Sequence, residues 1–185
     1  METNKKKHTK QKIWESFYDL CRKMPFERIT VEMVVANCGI SKATFYRHFK
    51  DKYDVLNYNS TAIAGRIIGE RPCKDWRDFL FYMFEEIEKE KQYYQKAFKT
   101  SGQNAHSSFL FEYSNFIVKR CYMLSNGLQE ITKQEEYMIA HYCYGCVAII
   151  EDWLNDSARL TTSQMADLFC EWMPEKLRGT WVNVT

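Results

Sequence analysis

An all-α fold is the expectation for this chain, and three observations carry it. Only three prolines and seven glycines interrupt its 185 residues, and most fall between stretches of helical spacing. Within those stretches apolar residues return once per turn: Trp76, Phe79, Leu80, Met83, Phe84 and Ile87 all project from one side of a helix. The hydrophobic share, 45%, is ample for a packed core. The elements divide the chain into a head over residues 1–52 and a body over residues 53–185.

The first helix is marked by the stripe Ile13, Phe17, Leu20, Cys21 and Met24, and Pro25 ends it. Thr30 caps a second helix whose buried stripe is Val31, Val34, Val35 and Cys38. Gly39 breaks the pattern, Ile40 returns to the core, and Ser41 is placed to cap a third helix. On that third helix Phe45 and Phe49 share one face, Ala43, Arg47 and Lys50 the opposite one, and Thr44 and Tyr46 flank them. Helix, sharp turn and helix make a helix-turn-helix, in a three-helix head closed by Phe17, Leu20, Ile29, Val34, Ile40, Phe45 and Phe49. Arginine can bond guanine through two atoms, threonine and alanine can touch a thymine methyl, and lysine, tyrosine and threonine can bond phosphates.

Charge is distributed to match. Residues 1–52 carry twelve Lys plus Arg against six Asp plus Glu, a balance of +6 inside a chain whose total is +2. A nucleic-acid head should be basic even where the whole chain is not. Lys5, Lys6, Lys7, Lys10 and Lys12 read as a basic arm ahead of the first helix, either following phosphates or simply solvated.

A long fourth helix is expected from near Lys52 through Ala62 and Ile67, weakening at Gly65 and Gly69 before Arg71-Pro72. The helix of Trp76 to Ile87 follows, and Tyr93, Tyr94 and Phe98 extend it or begin another. The Thr100 to Asn104 stretch reads as a loop, then a helix spans His106 to Leu124 until Ser125-Asn126-Gly127 stops it. Thr132 with Glu135 spells a capping box for a helix reaching Asn155. That helix is apolar nearly all round, so it needs two partners, its own domain and a second copy of the chain. Thr161 or Thr162 caps a last helix with the stripe Met165, Leu168, Phe169, Trp172 and Met173. The expected interface between copies draws on Cys143, Cys146, Val147, Ile150 and Trp153 of one helix and Met165, Leu168, Phe169 and Trp172 of the next.

Residues 10–56 resemble the N-terminal domain of TetR/AcrR-family transcriptional regulators, above all in the run Thr44-Phe45-Tyr46-Arg47-His48-Phe49-Lys50-Asp51-Lys52-Tyr53-Asp54-Val55-Leu56. The resemblance implies that Thr30, Lys42, Thr44, Tyr46, His48 and Lys52 meet phosphates or base edges, and that the fourth helix links a DNA-binding head to a ligand-binding body. The chain departs from the family at Val35, where a small alanine is usual. The body is similar to a short-bodied branch that includes dihydroxyacetone-kinase operon activators, through Tyr144-Gly145, Glu151-Asp152-Trp153-Leu154 and Thr162-Ser163-Gln164-Met165.

The expected DNA-reading set is therefore Thr30, Ser41, Lys42, Ala43, Thr44, Tyr46, Arg47, His48 and Lys52, with Arg47, Thr44, Lys42 and Ala43 on base edges. Tyr93, Tyr94, Phe98, His106, Phe109, Tyr113, His141 and Tyr142 either line an effector pocket or serve as core. Cys143-x-x-Cys146 beside His141 has the form of a zinc or redox motif, but His141 lies about 160° round the helix from Cys143 and no second pair follows. Those thiols are read as reduced packing residues, with no metal or other cofactor. No phosphate-cradling glycine loop, His-Glu-x-x-His or nucleophile elbow is present, so catalysis has little support in the sequence. The longest apolar run, Phe79 to Phe84, is far short of the roughly 20 residues that span a bilayer. A cytoplasmic protein without membrane contact is expected, whose partners are double-stranded operator DNA, a second copy of itself, and a small-molecule or protein effector.

Overall fold

The computed structural model describes residues 2–102 and 105–182, and the described residues are helical without strands. They fall into two compact units, Met1–Ser60 with Gln92–His106 and Thr61–Lys91 with Ser107–Thr185. None of the described helices is long and apolar enough to cross a membrane.

In the first unit α1 runs over Glu2–Lys23. It takes in the basic run from Lys5 to Lys12, which is therefore part of a helix and not an arm ahead of one. Its buried face is Ile13, Ser16, Phe17, Leu20 and Cys21. Pro25 starts a single 3-10 turn over Phe26–Arg28. Helix α2, Val31–Cys38, is capped by Thr30 Oγ1, which accepts from Met33 N at 3.3 Å. It is tied to α1 by Ser16, whose hydroxyl donates to Val34 O at 2.8 Å and accepts from Asn37 Nδ2 at 3.1 Å. Gly39 has φ of 65° and ψ of 41°, the left-handed conformation in which a side chain is strained, and there the chain turns out of α2. Helix α3 is short, Lys42–Tyr46, with Ser41 Oγ accepting from Thr44 N at 3.1 Å. Arg47 and His48 form a turn after it, so Phe49 packs just beyond the helix and not on it. Val35 is buried at the turn, its carbonyl accepting from Ile40 N at 3.1 Å.

Helix α4, Lys52–Glu70, is one uninterrupted helix whose residues belong to both units. Asp51 Oδ1 opens it by accepting from Tyr53 N and Asp54 N at 2.8 and 2.9 Å. The first unit also holds α6, Lys91–Phe98, apart from its first residue, and Glu90 alone separates it from the preceding α5. Tyr93 donates from its hydroxyl to Leu56 O at 2.8 Å, and Lys96 Nζ donates to Cys21 O at the open C-terminal end of α1.

The second unit contains α5 (Trp76–Lys89), α7 (His106–Asn126, its first residue still in the first unit), α8 (Lys133–Asn155) and α9 (Thr162–Trp172). Both expected caps of the last two helices form as reciprocal boxes, Thr132 with Glu135 and Thr161 with Gln164. Gly127, at φ of 65°, ends α7. The core is aromatic: Phe84 meets Phe169 at 5.0 Å and Trp153 at 5.4 Å between ring centroids. Arg77 binds α5 to α9 through Asp167 and Ser163 at 2.6 and 2.9 Å. Of the loop expected over Thr100 to Asn104, Gln103 and Asn104 lie outside the described residues.

Candidate nucleic-acid interface

Two caps and one left-handed glycine fix how α3 is presented. With Phe45 and Phe49 fully buried, the helix has a single possible orientation, and Lys42, Ala43, Tyr46 and Arg47 are left exposed on its other side. Tyr46 is 56% exposed although aromatic, so burial does not account for its position. Thr30, Ser41, Thr44 and His48 border the same surface, all inside the first unit.

Hydrogen bonds already organise this surface. The Thr44 hydroxyl lies 3.0 Å from Ser41 Oγ and accepts from Arg47 Nη2 at 3.2 Å. Lys42 forms an ion pair with Glu32 of α2. The Lys42 ammonium, the Glu32 backbone N–H and the Thr30 hydroxyl together hold the Glu32 carboxyl down at about 2, and the same partner raises Lys42 above the usual lysine range. To reach DNA, Lys42 must exchange this exposed pair for a phosphate or a base. His48 is lowered by burial first and then by the cations Arg47, Lys10 and Lys6. Lys10 of α1 lies over the rings of Phe49 and Tyr58 at 5.5 and 5.7 Å, which brings the basic face of α1 next to the turn after α3.

Lys52, expected to meet the DNA backbone, has its ammonium engaged within the head. Its ammonium donates to the carbonyls of Phe26, Glu27 and Ile29 at 3.0, 3.1 and 3.0 Å and sits 4.4 Å over the Phe26 ring. All three donors of a lysine are thereby engaged, and Lys52 clamps the 3-10 turn onto the start of α4. Sequence spacing carries no sign of this, because the three acceptors are backbone carbonyls more than twenty positions away.

Of the eight residues expected to line an effector pocket, four lie in each unit. Tyr93, Tyr94, Phe98 and His106 form a closely packed group in the first unit, where His106 Nδ1 meets Asn57 Oδ1 at 2.8 Å and Asn59 Nδ2 donates to Tyr94 Oη at 3.4 Å. Burial drives the His106 imidazole down to about 3, so the ring is neutral. Phe109 and Tyr113 stack at 5.8 Å in the second unit, Tyr142 donates to Phe169 O at 2.9 Å in its core, and His141 is exposed. A groove of about 470 Å³ lined by Arg66, Ile67, Glu70, Arg71 and Glu86 was not foreseen. Its lining is charged, and Arg66 and Glu86 pair across it at 2.6 Å.

The residues expected at an interface between copies are mostly consumed within the unit. Cys143, Val147, Trp153, Met165 and Phe169 are buried, Cys146, Ile150 and Leu168 are half-buried, and Trp172 is 53% exposed. The outer face of α8 is instead Tyr137, His141, Tyr144 and Ala148, with Tyr137 73% and Tyr144 60% exposed. Phe111 of α7 stacks on Tyr144 at 3.5 Å. Burial raises the thiols of Cys143, Cys146 and Cys170 to about 11, 12 and 11, far from the thiolate form that reacts or binds metal.

Residues 19–58 match the family of bacterial regulatory proteins of the tetR family, and residues 74–174 match the transcriptional regulator C-terminal region TetR_C_8. No curated protein matches the chain. Among solved structures, the dihydroxyacetone kinase operon activator DhaS is 16% identical, with a TM-score of 0.61 over 89% of this chain and 96% of that one. A TetR transcriptional regulator from Streptococcus agalactiae 2603V is 14% identical, with a TM-score of 0.61 over 91% and 94%. A TetR-family regulator from Syntrophomonas wolfei str. Goettingen is 17% identical, with a TM-score of 0.55 over 88% and 91%. At these identities the structures establish the fold, while the C-terminal model alone spans more than half of the chain: this protein belongs to the TetR family of transcriptional regulators.

Proposed function

We propose that this regulator binds a palindromic operator as a homodimer, each head placing α3 in a major groove, and that an effector acting on the body sets its affinity. The observation that carries the reading is the outward face of α3. Burial of Phe45 and Phe49 on one side leaves Lys42, Ala43, Tyr46 and Arg47 on the other, on a unit whose sequence is the basic part of the chain. Arg47, Thr44, Lys42 and Ala43 face base edges, and Thr30, Ser41, Tyr46 and His48 position the sugar-phosphate backbone. Lys52 leaves the contact set because its ammonium is engaged inside the head.

A second copy is placed on the exposed face of α8, Tyr137, His141, Tyr144 and Ala148, with Trp172 of α9. Two-fold symmetry in the protein then dictates two-fold symmetry in the operator. The effector would bind one separation of the heads better than another, and α4, continuous through both units, is the element able to transmit that preference. The deciding experiment is selection from random duplexes across a salt series. A palindromic motif supports the dimeric reader, whereas enrichment that only tracks salt rejects sequence-specific recognition by the chain on its own.

The alternative, a body that binds a partner protein in place of a metabolite, has its own observation. Phe116 and Leu124 of α7 remain 57% and 54% exposed. Phe116→Glu would abolish partner-dependent control in that case and leave metabolite-dependent control intact.

A further inference from the structure

Among the interface cations, Lys42 pairs with Glu32, Lys10 lies on two aromatic rings, and Lys52 is capped by three carbonyls. Arg47 is held differently. Among the described residues its partner is a neutral hydroxyl, Thr44 Oγ1 at 3.2 Å, and no carboxylate pairs with it. That hydroxyl is itself fixed by Ser41 Oγ at 3.0 Å, and Ser41 Oγ is fixed by the Thr44 backbone N–H at 3.1 Å. The chain of bonds therefore runs from the capped N-terminus of α3 to the guanidinium.

Two consequences follow from donor and acceptor counting. A threonine hydroxyl has one proton and two lone pairs, and the bonds to Ser41 and Arg47 take two of these three capacities. A guanidinium has five N–H donors in a rigid plane, and the bond to Thr44 anchors one of them while leaving others for a base edge. Guanine offers O6 and N7 side by side in the major groove, the pair of acceptors that such a fork fits.

We propose that Thr44 is a positioning residue for Arg47, holding the guanidinium so that one position of each half-site is read as guanine. The proposal rests on the operator-reading role argued above. It separates Thr44 from the residues that read bases through hydrogen bonds, since its hydroxyl acts through Arg47.

The test uses the full chain and the motif recovered from random duplexes. The guanine position is the one whose preference disappears in Arg47→Ala. Dissociation constants are then measured for the four base pairs at that position with the wild type, T44V and T44S, and thermal melting checks each fold. T44V keeps the side-chain shape and removes the hydroxyl, and T44S keeps the hydroxyl and removes the methyl. The expected result is a loss of guanine discrimination of roughly 10-fold or more in T44V, no further loss in T44V combined with Arg47→Ala, and retained discrimination in T44S. Wild-type discrimination in T44V, or equal losses in T44V and T44S, would overturn the positioning role. A wild type that enriches no motif would instead reject the operator-reading role, and the proposal with it.

Discussion

Single residues in this head separate into those that face outward and those whose charge is used inside. Arg47 belongs to the first kind, and Arg47→Ala should cost about 1–3 kcal/mol at one base position while barely changing binding to random DNA. Competition between operator and random duplex measures the difference. Lys52 belongs to the second kind, with its three carbonyl partners. Lys52→Met should lower the stability of the head by about 1–3 kcal/mol in urea titrations and leave the salt dependence of DNA binding unchanged. A salt slope that falls by about one would return Lys52 to the phosphate backbone. His106 gives a pH signature. Its folded value is pushed down to about 3 by burial, below the ordinary histidine value, so the unfolded chain takes up the proton first. Stability conferred by the neutral ring is thus complete above about pH 6.5 and is lost as the pH falls toward 3, at about 1.4 kcal/mol per pH unit. His106→Gln should remove that component of the slope in urea titrations at pH 4 to 7, and an unchanged slope would assign it to other groups.

At the scale of elements, most helices were legible because their signals are local. Thr30, Ser41, Thr132 and Thr161 cap the helices that they were read to cap, and Gly39 and Gly127 take the positive φ that ends α2 and α7. The recognition helix was read too long, since the packing of Phe49 requires only that it follow Phe45 on the same side, and the Arg47-His48 turn achieves that outside α3. What the sequence hid is the attachment of α6. Its contacts, Tyr93 to Leu56, Lys96 to Cys21 and the ring of Tyr93 on Tyr18 at 5.6 Å, reach residues 37 to 75 positions away, and periodicity is blind to such distances. If α6 is part of the head, its amides should exchange with solvent in one cooperative step with those of α1 and α2. Protection that follows α5 instead would place α6 with the other unit. Gly39→Ala tests the turn itself, and the strain of a left-handed alanine should cost about 1–2 kcal/mol of head stability in the same measurements.

For the whole molecule, the uneven charge and the two faces of α8 are the features from which assembly must be argued. Periodicity showed correctly that α8 is apolar on two sides, but it could not say which side the protomer uses itself. Trp153, Val147 and Cys143 lie on the inner side, leaving Tyr137, His141, Tyr144 and Ala148 outside, a stripe of aromatic rings with a small residue at its end. Small exposed residues permit close helix approach, and adding a Cβ at the neighbouring Gly145 would meet nothing within 4 Å. In the proposed dimer a self-complementary contact there would place the heads two to an operator, and each half-site would then gain from the other through effective concentration. Ala148→Glu puts a charge at the small-residue end of that stripe, at an exposed position outside the protomer core. Its unfolding free energy should therefore stay within about 0.5 kcal/mol of the wild type once the concentration dependence of the dimer is accounted for. Sedimentation velocity should show a monomer, and affinity for the palindrome should fall by about 10²–10⁴-fold, while affinity for an isolated half-site stays the same. A variant that still sediments as a dimer would move the interface to another face, with the exposed Phe116 and Leu124 of α7 the next to be replaced.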